Sequence, residues 1–151
     1  MRVFLAVAIV ILLTAVVLFV RRTRGTLKWG AYESAESLWS QIIEGDVVNS
    51  VQVTVDNKWR RLSTTEYEAI IAELAKRRQV DVERGQLEKQ RLLLDPWGRR
   101  YEIALRRPLG QELQALVWSN GPDRASGTSD DIAYPKRALR RGKLPSEVLS
   151  N

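Results

Sequence analysis

The stretch DPWGRRYEIALRRPLGQELQALVWS, residues Asp95–Ser119, decides the fold. It opens with Asp, Pro and Gly at the first, second and fourth positions that a type I turn prefers. Two strand-like segments, residues 100–107 and 112–119, then flank the turn signal Pro108–Gly110. This order is typical of an antiparallel hairpin. The sequence therefore predicts a turn followed by a hairpin, with Trp97 fixing the turn to the core.

An acidic loop, SNGPDRASGTSDDI (Ser119–Ile132), leaves the end of the second strand. It gathers Asp123, Asp130 and Asp131 among small residues whose glycines and proline allow the chain to fold over. Calcium takes six to eight oxygen ligands from carboxylates, carbonyls and water. The spacing does not fit an EF-hand. From these residues alone, an ordinary solvated loop and a calcium site both remain open.

Composition narrows the possible functions. The chain has 151 residues, a net charge of +6, no cysteine and no histidine. It is long enough for one domain with appendages. Disulfides, cysteine-ligated zinc and the commonest general base are excluded. We therefore expect no enzymatic activity and no small-molecule substrate.

The N-terminus contains an uncharged apolar run, Val3–Val20. As a helix it would extend ~27 Å, close to the thickness of a bilayer's hydrocarbon core. A signal peptide is the alternative, but no small-residue cleavage site precedes the polar flank LFVRRTRG. Residues 1–24 are therefore predicted to be an uncleaved membrane anchor with a basic flank. The cations at its C-terminal end, taken alone, would place the following domain in the cytoplasm.

Residues 25–62 are predicted to connect the anchor to the domain. Ala31, Ala35, Leu38 and Ile42 have helical spacing, and this helix should end near Gly45. We expect Gly25 and Gly30, within RRTRGTLKWG, to loosen its connection to the anchor. Alternation in residues 51–55 predicts a half-buried strand, followed by a turn and a second strand at residues 59–62.

A helix is predicted from STTEYEAIIAELAKRR, residues 63–78. Thr65 and Glu68 have the spacing of a capping box, and an apolar face follows. The helix acids Glu66, Glu68 and Glu73 fit capping and surface exposure better than acid–base chemistry. The next segment, residues 79–94, is ambiguous between helix and strand.

Two motifs in this order, DPWG followed by Tyr101 and then the loop Ser119–Ile132, resemble a known family. They are similar to the C-terminal half of the major pseudopilin of type II secretion systems (general secretion pathway protein G). The resemblance covers residues 63–134. It implies an α+β, pilin-like fold: an N-terminal transmembrane helix, an antiparallel sheet with a packed helix, and a C-terminal calcium loop.

The resemblance also implies a ligand set, because this loop binds calcium in that family. Carried across by position, the side-chain ligands are Asp123, Asp130 and Asp131. The carbonyl oxygens of Asn120 and Ala125 stand where the family offers main-chain ligands. The Ca²⁺ would be structural, ordering a loop that lacks apolar packing.

A structural role at a membrane also follows from the resemblance. It implies a single-pass protein of the bacterial inner membrane with a periplasmic domain, acting with other pseudopilins or secretion-system proteins. The sequence departs from the family in having no glycine before Gly25 and no acid in the apolar run, so the peptidase site is missing. A membrane-anchored binding module that does not assemble into a filament is the alternative.

The remaining residues, 135–151, form a basic tail. The segment PKRALRRGK could bind anionic lipid or nucleic acid through its clustered cations. No aromatic residue follows Tyr134, and no nucleic-acid motif accompanies the cations. We therefore expect a solvated tail and no nucleic-acid partner.

Overall fold

A long helix packed on an antiparallel sheet forms the frame of the protein. The computed structural model describes the backbone of residues 2–51, 53–79, 94–139 and 143–149, and the side chains of these ranges apart from residues 2–11, 78 and 79. The described elements are α1 (Arg2–Ile43), α2 (Val47–Ser50), β1 (Arg60–Arg61), α3 (Thr64–Gln79), β2 (Glu102–Arg106), β3 (Gln114–Ser119), β4 (Ile132–Tyr134), a 3₁₀ turn (Lys136–Ala138) and α4 (Ser146–Leu149). The α+β class is confirmed.

Helix α1 runs without a break through Gly25 and Gly30, so the predicted loosening at these glycines is wrong. A glycine in a helix costs only about 1 kcal/mol relative to alanine, which long flanking helical segments offset. The spacing of Ala31, Ala35 and Leu38 is confirmed, because all three are buried against the sheet.

The N-terminal part of α1 exposes its apolar side chains. Leu12, Leu13, Leu18 and Phe19 are each at least 60% exposed. Among the described residues, no helix is both long and apolar enough to cross a membrane. The side chains of residues 3–11, which belong to the predicted anchor, lie outside the described part.

The described strands form one sheet in the order β1-β2-β3-β4, and each neighbouring pair is antiparallel. Strands β2 and β3 are the predicted hairpin, with Ile103 opposite Val117 and Ala104 opposite Leu116. Side chains alternate between the two faces of a strand, so Ile103 and Val117 face one side of the sheet. That side packs on α1, α2 and α3 in the main core.

The segment before α3 differs from the prediction. Residues 53–55 form no strand, and β1 is limited to Arg60–Arg61. A hydrogen bond from the Arg107 amide to the Asp56 carbonyl, 2.7 Å long, holds this segment beside β2 without regular pairing.

Helix α3 is confirmed, but its cap lies two residues earlier than predicted. Glu66 Oε2 accepts from the Ser63 amide at 2.9 Å, and the Glu66 amide donates to Ser63 Oγ at 3.3 Å. Arg60 also donates to both Glu66 oxygens. The hydrogen bond from Arg60 is the largest cause that lowers the pKa of Glu66 to about 2. The ambiguous segment, residues 79–94, lies almost entirely outside the described residues.

The tail is not simply solvated, which corrects the prediction. Leu144 and Val148 are buried with Trp59 and Trp118 in a second cluster on the outer face of the sheet. This cluster explains the continuous apolar run of β3, because burial on both faces removes the polar alternation of a half-exposed strand.

Candidate functional site

The turn before β2 supports the acidic loop. Asp95 is 4% exposed, and its Oδ1 accepts from the amides of Trp97 at 3.0 Å and Arg99 at 2.8 Å. Its Oδ2 accepts from the Ser119 hydroxyl at 2.6 Å. The predicted turn is confirmed by the Gly98 amide, which donates to the Asp95 carbonyl at 2.9 Å. The anchor of the turn is Asp95, however, because Trp97 is half-buried and belongs to neither core cluster of the described residues.

The two ends of the acidic loop are held side by side by β4, which the sequence did not predict. Ser119 pairs with Ile132 and Val117 with Tyr134. At the entry, Ser119 Oγ accepts from the Gly121 amide at 3.1 Å. The loop is therefore the closed end of a hairpin whose strands belong to the core sheet.

Asn120 uses its side chain to organise the loop. Its Oδ1 accepts from Trp118 Nε1 at 2.9 Å and from the Ser126 hydroxyl at 2.7 Å. For Asn120, only the main-chain oxygen was predicted to have a role, as a calcium ligand. The side chain thus links β3 to the middle of the loop and leaves the main-chain oxygen as the group proposed for a cation.

Asp123 and Asp130 are brought together. The Asp123 amide donates to Asp130 Oδ2 at 3.3 Å, and Asp123 Oδ1 accepts from the Ala125 amide at 2.9 Å. Asp130 Oδ1 accepts from the Thr128 hydroxyl at 2.5 Å. This hydroxyl also lies 3.2 Å from the Ala125 carbonyl oxygen. Hydrogen bonds to carboxylate and carbonyl oxygens therefore connect four residues of the loop: Asp123, Ala125, Thr128 and Asp130.

Asp131 is turned inward. Its Oδ2 accepts from the Gly127 amide at 2.6 Å. Its Oδ1 is buried and has no hydrogen-bond partner among the described residues. Leaving a buried polar atom without a partner costs roughly 1–3 kcal/mol, so this oxygen favours a proton or a cation.

The charges of the loop affect one another. Burial is the largest cause that raises the pKa of Asp131 to about 6, and the charges of Asp130 and Asp123 add to it. The hydrogen bond from the Thr128 hydroxyl is the largest cause that lowers the pKa of Asp130. None of these three acids takes part in an ion pair among the described residues. No Lys or Arg of the described residues therefore lies at ion-pair distance from these carboxylates.

Gly121 allows the close approach of the loop's two ends. It has φ +62°, and a Cβ atom built there would lie 2.6 Å from both the carbonyl oxygen and Oδ2 of Asp130. Real Cβ contacts do not become so short, so only glycine fits. The sequence identified this glycine as a turn former but not as the contact to Asp130.

The donor set fits a hard cation chemically: carboxylate oxygens, carbonyl oxygens and one buried oxygen without a partner. Among the described residues, no three acidic side chains are already grouped in a way that could hold a metal ion. The named ligands Asp123, Asp130 and Asp131, with the carbonyls of Asn120 and Ala125, stay a prediction.

Sequence reasoning missed the residues that hold the loop in place, of which two lie within the loop and two lie outside it. Ser119 and Thr128 bind the acids with their hydroxyls, and Arg99 Nη1 donates to the Gly121 carbonyl at 3.2 Å. A Cβ on Gly127 would lie 3.0 Å from Leu149 Cδ1, so the C-terminal helix covers the loop. The sequence signal for the two hydroxyl contacts is a general excess of small polar residues in the loop, and no local pattern indicates the contacts of Arg99 and Leu149.

No family model matches the chain, and it has no match among curated proteins or solved structures.

Proposed function

We propose that the protein is a membrane-anchored, non-enzymatic structural subunit, similar to a pseudopilin, of a type II secretion or type IV pilus-like system. The observation that carries the proposal is the unbroken helix Arg2–Ile43, whose second half packs on the antiparallel sheet. In the family that the motifs resemble, the stem helix likewise continues from the membrane into the domain.

The exposed apolar surface of α1 supports an anchoring or assembling role. Leu12, Leu18 and Phe19 are 65%, 60% and 71% exposed in the isolated chain. An exposed apolar surface of this kind is typical of a site that contacts lipid or another protein. Lipid around the helix and neighbouring subunits beside it would both provide that cover.

The motif residue Tyr101 also supports the proposal. It is 1% exposed, and its hydroxyl donates to the Ala31 carbonyl of α1 at 3.1 Å. Tyr101, three residues after Gly98 of the DPWG motif, therefore ties the sheet to the long helix. This contact would hold the domain on the long helix, which in the proposed function connects it to the membrane.

The calcium part of the proposal concerns the acidic loop. Asp123, Asp130 and Asp131 would supply carboxylate oxygens, and Asn120 and Ala125 would supply carbonyl oxygens. A Ca²⁺ ion would neutralise the unbalanced charge of the loop and give Asp131 Oδ1 a partner. Because cytosolic calcium is scarce, the domain is proposed to lie in the periplasm, against the orientation that the flanking cations favour.

A second function is favoured by the apolar run Val3–Val20 itself, which contains no acidic residue. In the family that the motifs resemble, a Glu in this segment helps to dock the subunit into the filament, so its absence favours a single-pass binding module that does not form a filament. Both functions use the same anchor and loop. They differ in whether α1 contacts copies of itself.

Crosslinking separates the two functions, because the chain contains no cysteine. Leu12→Cys and Phe19→Cys would be placed together on the exposed part of α1 in cells that carry the native partner genes, followed by a membrane-permeant thiol crosslinker. A ladder of dimers, trimers and larger species is expected for a filament subunit. Monomers alone would reject filament assembly and leave the binding module, and each single-cysteine variant serves as the control because it cannot extend beyond a dimer.

A further inference from the structure

A line of cations runs along α1 from the end of the apolar run. Arg21, Arg24 and Lys28 are exposed and spaced three and four residues apart, so they share one face of the helix. Tyr32 continues the same face one turn later. Side chains three and four residues apart lie above one another along a helix. The positively charged face therefore extends from the end of the apolar segment to the folded domain.

This face ends in a cleft of about 500 Å³ between α1 and β4. Lys28, Trp29 and Lys136 line the cleft, and Lys136 Nζ lies 4.7 Å from the centre of the Tyr32 ring. Two ammonium groups from distant parts of the chain therefore face one space. Trp29 is 63% exposed beside them, so its large ring remains accessible at the rim of the cleft.

The cations of this face are available to a ligand. Among the described residues, neither Lys28 nor Lys136 forms an ion pair, and the same holds for Arg21 and Arg24. The acid that also lines the cleft, Asp131, already accepts from the Gly127 amide at 2.6 Å. Because Lys28 and Lys136 stand against this one acid, the charged side chains that line the cleft carry a net positive charge.

The height of the cleft matches the headgroup layer of a bilayer. Lys28 lies eight residues beyond Val20, or ~12 Å along the helix axis. Helical side chains lean toward the N-terminus, so its ammonium group reaches back by about one turn. The headgroup layer is ~5–8 Å deep on each side, which places this group at its outer edge. An exposed Trp is also typical of that layer.

We propose that the cleft between α1 and β4 binds the phosphate of an anionic membrane phospholipid, held by Lys28 and Lys136 with Trp29 in the headgroup layer. The inference rests on the proposed membrane anchor. It assigns the anchor a specific lipid contact, which would fix the angle and rotation of the domain above the membrane. The arginines nearer the apolar run would add non-specific attraction to the same leaflet.

The test uses the full chain in mild detergent with calcium present, titrated with phosphatidylglycerol or with phosphatidylcholine. Native mass spectrometry would count the bound lipids at each concentration. We expect saturable binding of phosphatidylglycerol, weakened about fivefold by Lys28→Gln and about fivefold by Lys136→Gln. Lys28→Arg and Lys136→Arg should retain binding because the charge is kept. Lys58→Gln, an exposed lysine outside the cleft, is the matched control.

Several results would overturn the inference. Equal affinity of the two cleft variants and the Lys58 control would place the lipid elsewhere. Displacement of the lipid by inorganic phosphate at constant ionic strength would show a site for free phosphate. Alkaline carbonate extraction of the same variants from membranes tests the anchor separately: a chain that stays in the membrane without binding the lipid rejects only this inference, whereas an extracted chain rejects the anchor and the inference together.

Discussion

Asp95 Oδ2 accepts a hydrogen bond from the Ser119 hydroxyl at 2.6 Å, and both residues are buried. The contact joins the DPWG turn to the first residue of the acidic loop, although the two are far apart in the sequence. The two motifs that carry the family resemblance are therefore parts of one hydrogen-bonded structure. We therefore expect a substitution in one motif to alter the structure of the other.

Ser119→Ala should destabilise the fold by about 1–3 kcal/mol, because a buried carboxylate oxygen loses its donor. The Gly121 amide also loses its acceptor. Urea unfolding of the full chain in detergent, followed by tryptophan fluorescence, would measure the change. Ser40→Ala removes an exposed hydroxyl that donates to Glu44 at 2.6 Å and should change stability by less than about 0.5 kcal/mol. Equal effects of the two changes would show that the buried contact does not matter.

Gly121→Ala should lower the free energy of unfolding much more than Gly98→Ala does. Both glycines have positive φ, at +62° and +78°, so both alanines bear a similar backbone cost of about 1 kcal/mol. A Cβ at Gly121 also meets Asp130 at 2.6 Å, whereas one at Gly98 meets no atom within 4 Å. The difference in unfolding free energy between the variants measures the clash alone. If the two variants are equally stable, the loop does not close around Gly121.

Calcium-free stability should depend on the protonation of Asp131. Its pKa is raised by burial from 3.8 to about 6, so between these values the folded state binds more protons than the unfolded state. Stability must then rise as the pH falls from about 6 toward 4, by about 1 kcal/mol after allowance for solvent screening of this half-buried group. Thermal unfolding in a chelator at several pH values would measure it.

The variant Asp131→Asn provides the control for this pH dependence. It should be more stable than the parent at pH 7 without calcium, because the disfavoured charge is gone. Its stability should also vary less between pH 4 and pH 6. An unchanged pH profile in the variant would assign the titration to another group.

The C-terminal segment should contribute to stability. Val148 is fully buried with Trp59 and Trp118, so Val148→Ala should cost about 1–3 kcal/mol through lost contacts and a cavity. Leu109→Ala alters a side chain that is 91% exposed and should have little effect. Equal stability of the two variants would mean that the segment is solvated, as its composition alone indicates.

The sequence predicted the elements whose signals are local. The apolar spacing of Ala31, Ala35 and Leu38, the DPWG turn and the β2–β3 hairpin were all identified correctly. The type I turn and the helical period depend on neighbouring residues, so they can be recognised without the rest of the fold. The acids of the loop were recognisable for the same reason.

The errors concern long-range contacts. Residues 53–55 alternate like a strand, but regular pairing there is replaced by the single bond between Arg107 and Asp56. The basic tail lacks a clear pattern, and its burial depends on two side chains, Leu144 and Val148, fitting the outer face of the sheet. At the site, β4 and the contacts of Ser119 depend on which segments meet in space. Such partners cannot be inferred from local spacing.

Calcium binding to the full chain tests the central claim most directly. Calorimetric titration in detergent should show heat on adding Ca²⁺ and a stabilisation of about 2.7 kcal/mol at 100 times the dissociation constant. Asp123→Ala and Asp130→Ala should abolish both effects, while Glu112→Gln, an exposed acid outside the loop, should retain them. No heat and no stabilisation in the parent protein would contradict the claim that the acidic loop is a structural calcium site.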